Sequence, residues 1–326
     1  MFLLIDGNNV AWAGYYALER AMKPEDDERR HRVAMLGLAS GVLGAIARRG
    51  EPPGGPAGPP LTRVALVFDE GRAVRRRGIF PKYQTGRESD PKFVANEPVI
   101  LRAIDEFAGM AARILPIEVV QGADTEADEL IAGLVATTPG VPKRIISTDR
   151  DFLHLISEET SVYAPVKKLV IDERNFWDAV APKASDGTPA LFPRERFLDY
   201  RTLVGDTSDD LPGVPGIGPL SAARLLAAAP VEDYFGQPER VRAALGRRSE
   251  AVEHAFASGA AQAVVERNRA MMDLRLAAPS WDELPGHTRR GSWDRAAFEA
   301  WLDEQRITSV ERAALLESLD QLAAAG

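Results

Sequence analysis

With 326 residues, 45% hydrophobic content and a formal charge of −8, the chain can bury a full core and is too apolar to be a disordered tail. Zero cysteines exclude a disulfide framework and a thiolate zinc site, and four histidines leave oxygen as the ligand for any metal. There is no run of about 18 apolar residues, and Met1-Phe2-Leu3-Leu4-Ile5-Asp6 lacks the basic flank and long apolar stretch of a secretory leader. The expectation is a cytoplasmic protein without a membrane partner.

Phe2 to Ile5 is an apolar run that stops at Asp6-Gly7-Asn8-Asn9, as a buried strand ending in a turn does. Arg63 to Phe68 repeats the pattern and ends on Asp69; Arg144 to Thr148 repeats it again and ends on Asp149, with Asp151 two residues on. Helical periodicity lies between and after these runs, over Val33 to Arg48, Val99 to Ile114 and Glu126 to Val135. Strands alternating with helices predict an α/β fold with a parallel, helix-covered sheet. The stretch Glu51 to Pro60, rich in proline and glycine, reads as a surface loop, and Pro182 to Pro193 as a domain boundary. The remainder reads as helical, with candidates at Pro219 to Ala229, Arg240 to Ala257, Gln262 to Met272, Asp294 to Gln305 and Val310 to Ala325.

In a parallel sheet the carboxyl ends of the strands are where ligands bind, so Asp6, Asp69 and Asp149 are expected to converge. Any one of them alone reads more simply as a turn or cap residue. More acids stand nearby in sequence: Glu126, Asp128 and Glu129 open one helix, and Asp206 and Asp209 lie in an acidic turn. The first group also fits a capping box, Thr125-x-x-Asp128, and a first turn that complements the helix dipole. So many carboxylates in one place repel unless hard cations neutralise them, and Mg²⁺ or Mn²⁺ pairs held by oxygen assist phosphodiester hydrolysis. No glycine loop of the triphosphate-binding type is present.

Between Arg72 and Lys92, seven basic residues (Arg72, Arg75, Arg76, Arg77, Lys82, Arg87, Lys92) face only Glu88 and Asp90, so this block is net positive in an acidic chain. Interleaved with Phe80 and Tyr83, it suits a surface that tracks a single strand; a solvated basic helix is the plainer alternative. Gly213-Val214-Pro215-Gly216-Ile217-Gly218-Pro219 opens a helix after the acids at 206 and 209, which presents backbone N–H groups to a phosphate.

These residues resemble the 5′-nuclease family, which includes the N-terminal domain of bacterial DNA polymerase I and the bacteriophage flap endonucleases. The matching strings are LLIDGNN, ALVFDEG, YQTGRESDP, ADTEADELIAG, IISTDRDFLHLI and GDTSDDLPGVPGIGPLSAARLL. The resemblance implies a PIN-like nuclease domain over 1–185 with a helical arch at about 72–98, a helix-three-turn-helix DNA-binding module over 186–276, and a C-terminal helical extension over 277–326. It implies a 5′-3′ exonuclease and flap endonuclease in DNA replication or repair. Two Mg²⁺ or Mn²⁺ ions would be held among Asp6, Asp69, Glu126, Asp128, Glu129, Asp149, Asp151, Asp206 and Asp209, and the glycine hairpin allows a K⁺ ion. Asp6, Asp69, Asp149 and Asp151 would serve catalysis together with Tyr83 and Arg87 at the arch base, and Lys82 beside them. DNA would be met by Arg72, Arg75, Arg76, Arg77, Gln84, Gly213, Gly216, Ile217, Gly218 and Ser221. The expected partner is branched, nicked or 5′-flapped DNA, with RNA–DNA hybrids as a further substrate, acted on by a monomer in a prokaryotic or phage-infected cell. Glu129 stands where the pattern usually has aspartate, Gln84 where it has lysine, and Leu220-Ser221 where it has Lys-Thr. A PIN-type ribonuclease and a non-catalytic junction binder are the rival readings.

Overall fold

The computed structural model describes residues 1–71, 73–246, 249–277 and 284–325. In chain order the elements are β1 (Phe2–Asp6), α1 (Gly7–Met22), α2 (Asp27–Ala47), β2 (Arg63–Glu70), α3 (Val74–Ile79), α4 (Thr85–Ser89), α5 (Pro91–Ile114), β3 (Glu118–Ala123), α6 (Ala127–Ala136) and β4 (Lys143–Ile146). Next come β5 (Thr160–Ala164), β6 (Leu169–Ile171), α7 (Phe176–Val180), α8 (Phe197–Val204), the two-residue strands β7 (Gly205–Asp206) and β8 (Leu211–Pro212), and α9 (Pro219–Ala228). The last are α10 (Glu232–Gly236), α11 (Glu239–Leu245), α12 (Glu250–Ala257), α13 (Ala260–Met272), α14 (Leu274–Ala277), β9 (Thr288–Arg290), α15 (Arg295–Glu304) and α16 (Arg312–Ala325). They fall into two compact units, one of Met1–Ala73, Pro91–Glu173 and Ala277–Gly326, the other of Val74–Asp90 and Arg174–Leu276.

The first unit is built on a seven-stranded sheet in the order β6-β5-β4-β1-β2-β3-β9. The five central strands run parallel, whereas β6 and β9 are antiparallel to their neighbours. β1 is apolar on both faces because helices cover both, and Phe2, Leu3, Leu4 and Ile5 are fully buried. Parallel register sets Asp6 opposite Val67 and Ile5 opposite Ile146, so the carboxyl ends of β1, β2 and β4 share one edge. α1 and α2 approach closely where Gly14 meets Gly37; a Cβ at Gly14 would lie 2.6 Å from the Gly37 carbonyl. α5 starts well before the periodicity at Val99 and carries Pro98 within it. The carbonyl that a proline at 98 cannot bond belongs to Val94, which is exposed to water. The segment after 277 supplies more than helix. β9 bonds to β3, and Phe298, Leu302, Leu315, Leu319 and Leu322 join the core formed with Leu38, Val42 and Phe107. Trp293 donates to Asp320 at 2.8 Å and Trp301 sets its edge on Phe107, while Trp281 lies outside the described residues.

In the second unit an aromatic chain, Phe176, Trp177, Phe192, Phe197 and Tyr200, packs through successive ring contacts. Asn268 of α13, fully buried, donates to the carbonyls of Thr202 at 2.8 Å and Pro212 at 3.1 Å, tying α13 to α8 and β8. The helix expected over Arg240 to Ala257 is corrected to two, α11 and α12. Gly246 adopts φ +83° after α11, a backbone setting that favours glycine and does not continue a helix.

Candidate metal and nucleic-acid site

In the first unit the three aspartates expected at strand ends all do structural work, Asp6 and Asp69 at helix starts and Asp149 in a turn three residues beyond the end of β4. Asp6 caps α1 by accepting from Asn9 N at 3.0 Å, and its other oxygen accepts from the Ser147 hydroxyl at 2.8 Å. Asp69 accepts at 2.7 Å from Ala127 N, the first helical amide of α6, so a carboxylate from β2 meets the positive end of that helix. Asp149 accepts from Asp151 N at 2.8 Å. The plain reading of these acids as caps and turns and the reading as a site therefore describe the same atoms.

Two asparagines staple the edge together. Asn8 accepts from Asp69 N at 3.0 Å, and Asn9 accepts from both the amide and the hydroxyl of Thr148 at 2.9 Å. Ser147, fully buried, also accepts from Asp149 N at 3.1 Å, which makes a chain from Asp149 through Ser147 to Asp6. Asn8, Asn9 and Ser147 were not among the expected site residues. The polar pair following Asp6 in the first turn of α1 is the one sequence signal for them.

Asp6 is 7% exposed, and burial, reinforced by the charges of Asp69 and Asp128, pushes its carboxyl up to about 7 from an ordinary 3.8. Asp128 and Glu126 are half-buried at the start of α6, Glu129 is buried on it, and Asp151 is buried just after Asp149. The cap of α6 is Glu126, and Thr125 donates to the Ala123 carbonyl at 3.2 Å, so the capping box at Thr125 does not form. The donor chemistry fits a hard divalent cation, since every candidate ligand is a carboxylate oxygen and the charges of Asp69 and Asp128 both press on Asp6. Among the described residues no three His, Asp or Glu side chains stand close enough to clasp one ion by themselves. Beside Asp69 there is a further group. His287, just before β9, sets its ring against Gly122, the register partner of Asp69; a Cβ there would meet Nδ1 at 3.1 Å.

In the second unit the acidic turn meets the segment that carries Tyr83, Gln84 and Arg87. Asp209 accepts from Gln84 Nε2 at 2.9 Å and from the Arg87 guanidinium at 2.8 Å. Gln84 also donates to the Tyr83 hydroxyl at 3.0 Å, with its own backbone at φ 55°. Asp206 accepts from Arg201 at 2.6 Å and from Ser208; burial alone would raise its carboxyl, but the Ser208 and Arg201 hydrogen bonds hold it below the ordinary range. Both carboxylates thus already face cations or amides of their own unit. Tyr83 is only 4% exposed and Arg76 only 3%, with the Arg76 guanidinium donating to the Tyr83 hydroxyl at 3.1 Å. Arg76, expected on a DNA-facing surface, is therefore corrected to a buried partner of Tyr83. Arg75 donates to the Ala270 carbonyl at 3.0 Å, Arg77 pairs with Glu88 at 2.7 Å, and Lys82 is exposed. Arg72 lies outside the described residues.

The glycine hairpin is built as its sequence demands. Gly205, at φ +76°, faces Gly213 so closely that a Cβ on Gly205 would lie 2.3 Å from Gly213 N, and a Cβ on Gly213 would lie 2.3 Å from the Leu203 carbonyl. Val214 N donates to that same carbonyl at 2.9 Å, and Gly216 turns the chain at φ +83°. Gly218 then caps α9 without a side-chain bond, with Pro219 in the first turn. Gly216 and Gly218 are exposed, Ser221 is half-buried, and Ile217 is buried beneath the turn.

The mostly parallel sheet carries acids along its carboxyl edge, and comparison with known proteins supplies the family. Residues 1–181 match the model of the 5′-3′ exonuclease N-terminal resolvase-like domain. The chain belongs to the 5′-3′ exonuclease family, a family of phosphodiester hydrolases. It is 30% identical to DNA polymerase I of Mycobacterium bovis over 99% of this chain and 32% of that protein. It is also 30% identical to the thermostable DNA polymerase I of Thermus filiformis over 74% of this chain and 25% of that protein. It therefore spans about a third or less of these relatives' length. Among solved structures, the T5 D15 protein co-crystallised with metal ions superposes with a TM-score of 0.58 at 15% identity, covering 100% of this chain and 99% of that one. The bacteriophage T5 D15 flap endonuclease in complex with DNA and metal ions gives the same TM-score and identity over 99% and 98% of the two chains. No described helix is long and apolar enough to cross a membrane.

Proposed function

We propose that the chain is a monomeric, structure-specific 5′-3′ exonuclease and flap endonuclease acting on nicked, branched or 5′-flapped DNA. The observation that carries this reading is the carboxylate edge, where Asp6 is driven up to about 7 by burial and by Asp69 and Asp128. Such repulsion is relieved by positive charge brought in from outside the chain. Asp6, Asp69, Asp128, Asp149 and Asp151 would hold two divalent ions, with Glu126 and Glu129 beside them. When bound, Mg²⁺ or Mn²⁺ supplies an activated water and charge stabilisation for the leaving oxygen. The relative that crystallised with DNA and metal ions supports the same partners here.

The chain's own residues do the rest. Asn8, Asn9 and Ser147 keep the acids in register, and Arg87 and Lys82 would meet the phosphate of the 5′ strand. Gln84 joins Tyr83 to Asp209 in place of a lysine, and so orders the arch base without adding charge. The hairpin over Gly213, Gly216 and Gly218, with the α9 amides and Ser221, would hold duplex backbone without reading bases. The three parts read as the nuclease domain with its arch, the helix-three-turn-helix module and the C-terminal segment. A 5′-labelled flap incubated with Mg²⁺ should be cut near the junction, and EDTA or Asp149→Asn should abolish the cut. Cleavage indifferent to both would sink the reading.

A further inference from the structure

Along α1, Trp12, Tyr16 and Arg20 recur every fourth residue and so share a helix face. Phe93 of α5 stacks on Trp12 with ring centroids 4.6 Å apart and planes 6° apart, and Tyr16 lies 5.8 Å from Trp12. Lys92 sits 4.9 Å over the Tyr16 ring and pairs with Glu19 at 2.7 Å. Beside these rings is an open groove of about 630 Å³ lined by Tyr16, Glu19, Arg20, Lys23, Pro24 and Lys92. Arg20, Lys23 and Lys92 are exposed, so three cations face one acid in a chain whose net charge is −8.

Cations at the end of α1 would complement its dipole, which accounts for Arg20 and Lys23. It does not account for Lys92, which comes from another helix, or for Tyr16, left 38% exposed between the cations. Aromatic faces among basic side chains are the chemistry that holds a single nucleic-acid strand, with bases on the rings and phosphates on the cations.

We propose that this groove binds single-stranded DNA, stacking a base on Tyr16 and pairing the backbone with Arg20, Lys23 and Lys92. Its place in catalysis rests on the nuclease reading. α1 starts at the acids, and at about 1.5 Å per residue Tyr16 stands about 15 Å along it from Asp6. Only a strand that runs several nucleotides past the acids reaches the groove, so it selects long 5′ arms over short ones. Glu19 restrains Lys92 and weakens the site.

The test is a titration of the full chain, in EDTA, into fluorescently labelled oligothymidylate. Tyr16→Ala should weaken binding roughly tenfold, and Tyr16→Phe should not. Arg20→Ala and Lys23→Ala should each lower the slope of log affinity on log salt by roughly 0.7. Glu19→Gln should tighten binding several-fold by releasing Lys92. In Mg²⁺ the weakened variants should cut short-armed substrates at the wild-type rate and lose the preference for long arms. Wild-type affinity in Tyr16→Ala and in the doubly substituted Arg20→Ala, Lys23→Ala protein overturns the proposal; the latter residues are exposed, so folding does not confuse that result. If the wild type cuts nothing, the nuclease reading fails while the oligothymidylate titration still decides the groove.

Discussion

Asp6 shows how one side chain can stabilise a fold and oppose it. Its oxygens cap α1 and receive the Ser147 hydroxyl, yet its charge is unwelcome where it lies. Because the folded state raises the carboxyl from 3.8 to about 7, native protein holds this proton more tightly than the unfolded chain does. Stability of the metal-free protein should therefore fall as pH rises from about 4 to about 7, by an amount on the order of 4 kcal/mol from this group, and level off above. In EDTA at pH 8, Asp6→Asn should melt above the wild type and lose that slope; a lower melting temperature would contradict it. Asn9→Ala removes the acceptor for Thr148 N, a half-buried amide two residues beyond β4, and should cost about 1–3 kcal/mol in thermal melts. Asp6, Asp69 and Asp149 could be read from the chain because each ends an apolar, strand-like run. Ser147 could not, because its bond to Asp6 spans 141 residues and exists only once β1 and β4 lie side by side.

Elements were legible in proportion to their burial and length. β1, β2 and β4 stood out as buried apolar runs, whereas β5 and β6 are five and three residues long, and β9, Thr-Arg-Arg, has no strand-like composition at all. β9 is a strand because β3 offers it a row of backbone partners, a tertiary cause that local pattern does not carry. The Gly246 break was likewise hidden inside a continuous apolar period. Gly213 and Gly216 of the glycine hairpin answer local demands, crowding at the first and φ +83° at the second, whereas Gly218 meets neither. Gly213→Ala would place a methyl 2.3 Å from the Leu203 carbonyl and should destabilise the second unit by about 1–3 kcal/mol. Duplex binding should fall with it, in a gel-shift assay at fixed salt. Unchanged melting and binding would mean that the turn tolerates the clash by moving.

For the whole molecule, the net charge of −8 concealed a local arrangement. An average over the chain argues against a polyanionic partner, while the acids gather at one sheet edge and basic groups gather elsewhere. Divalent ions that bind only the folded acids should raise the melting temperature by mass action. At pH 8, Mg²⁺ or Mn²⁺ should raise it in the wild type and raise it much less in Asp6→Asn. Equal increments in both would remove Asp6 from the ligand set.

β9 has a consequence for solubility. It covers the outer backbone of β3 and leaves outermost a strand of only three residues, two of them arginines, while the opposite border is the equally short β6. Borders that are short and charged offer little template for another copy of the chain, whereas bare β3 would offer six residues of open amides and carbonyls. Deleting residues 277–326 should therefore give a protein that self-associates with rising concentration in light scattering. Adding back a soluble peptide spanning the β9 strand should slow that association.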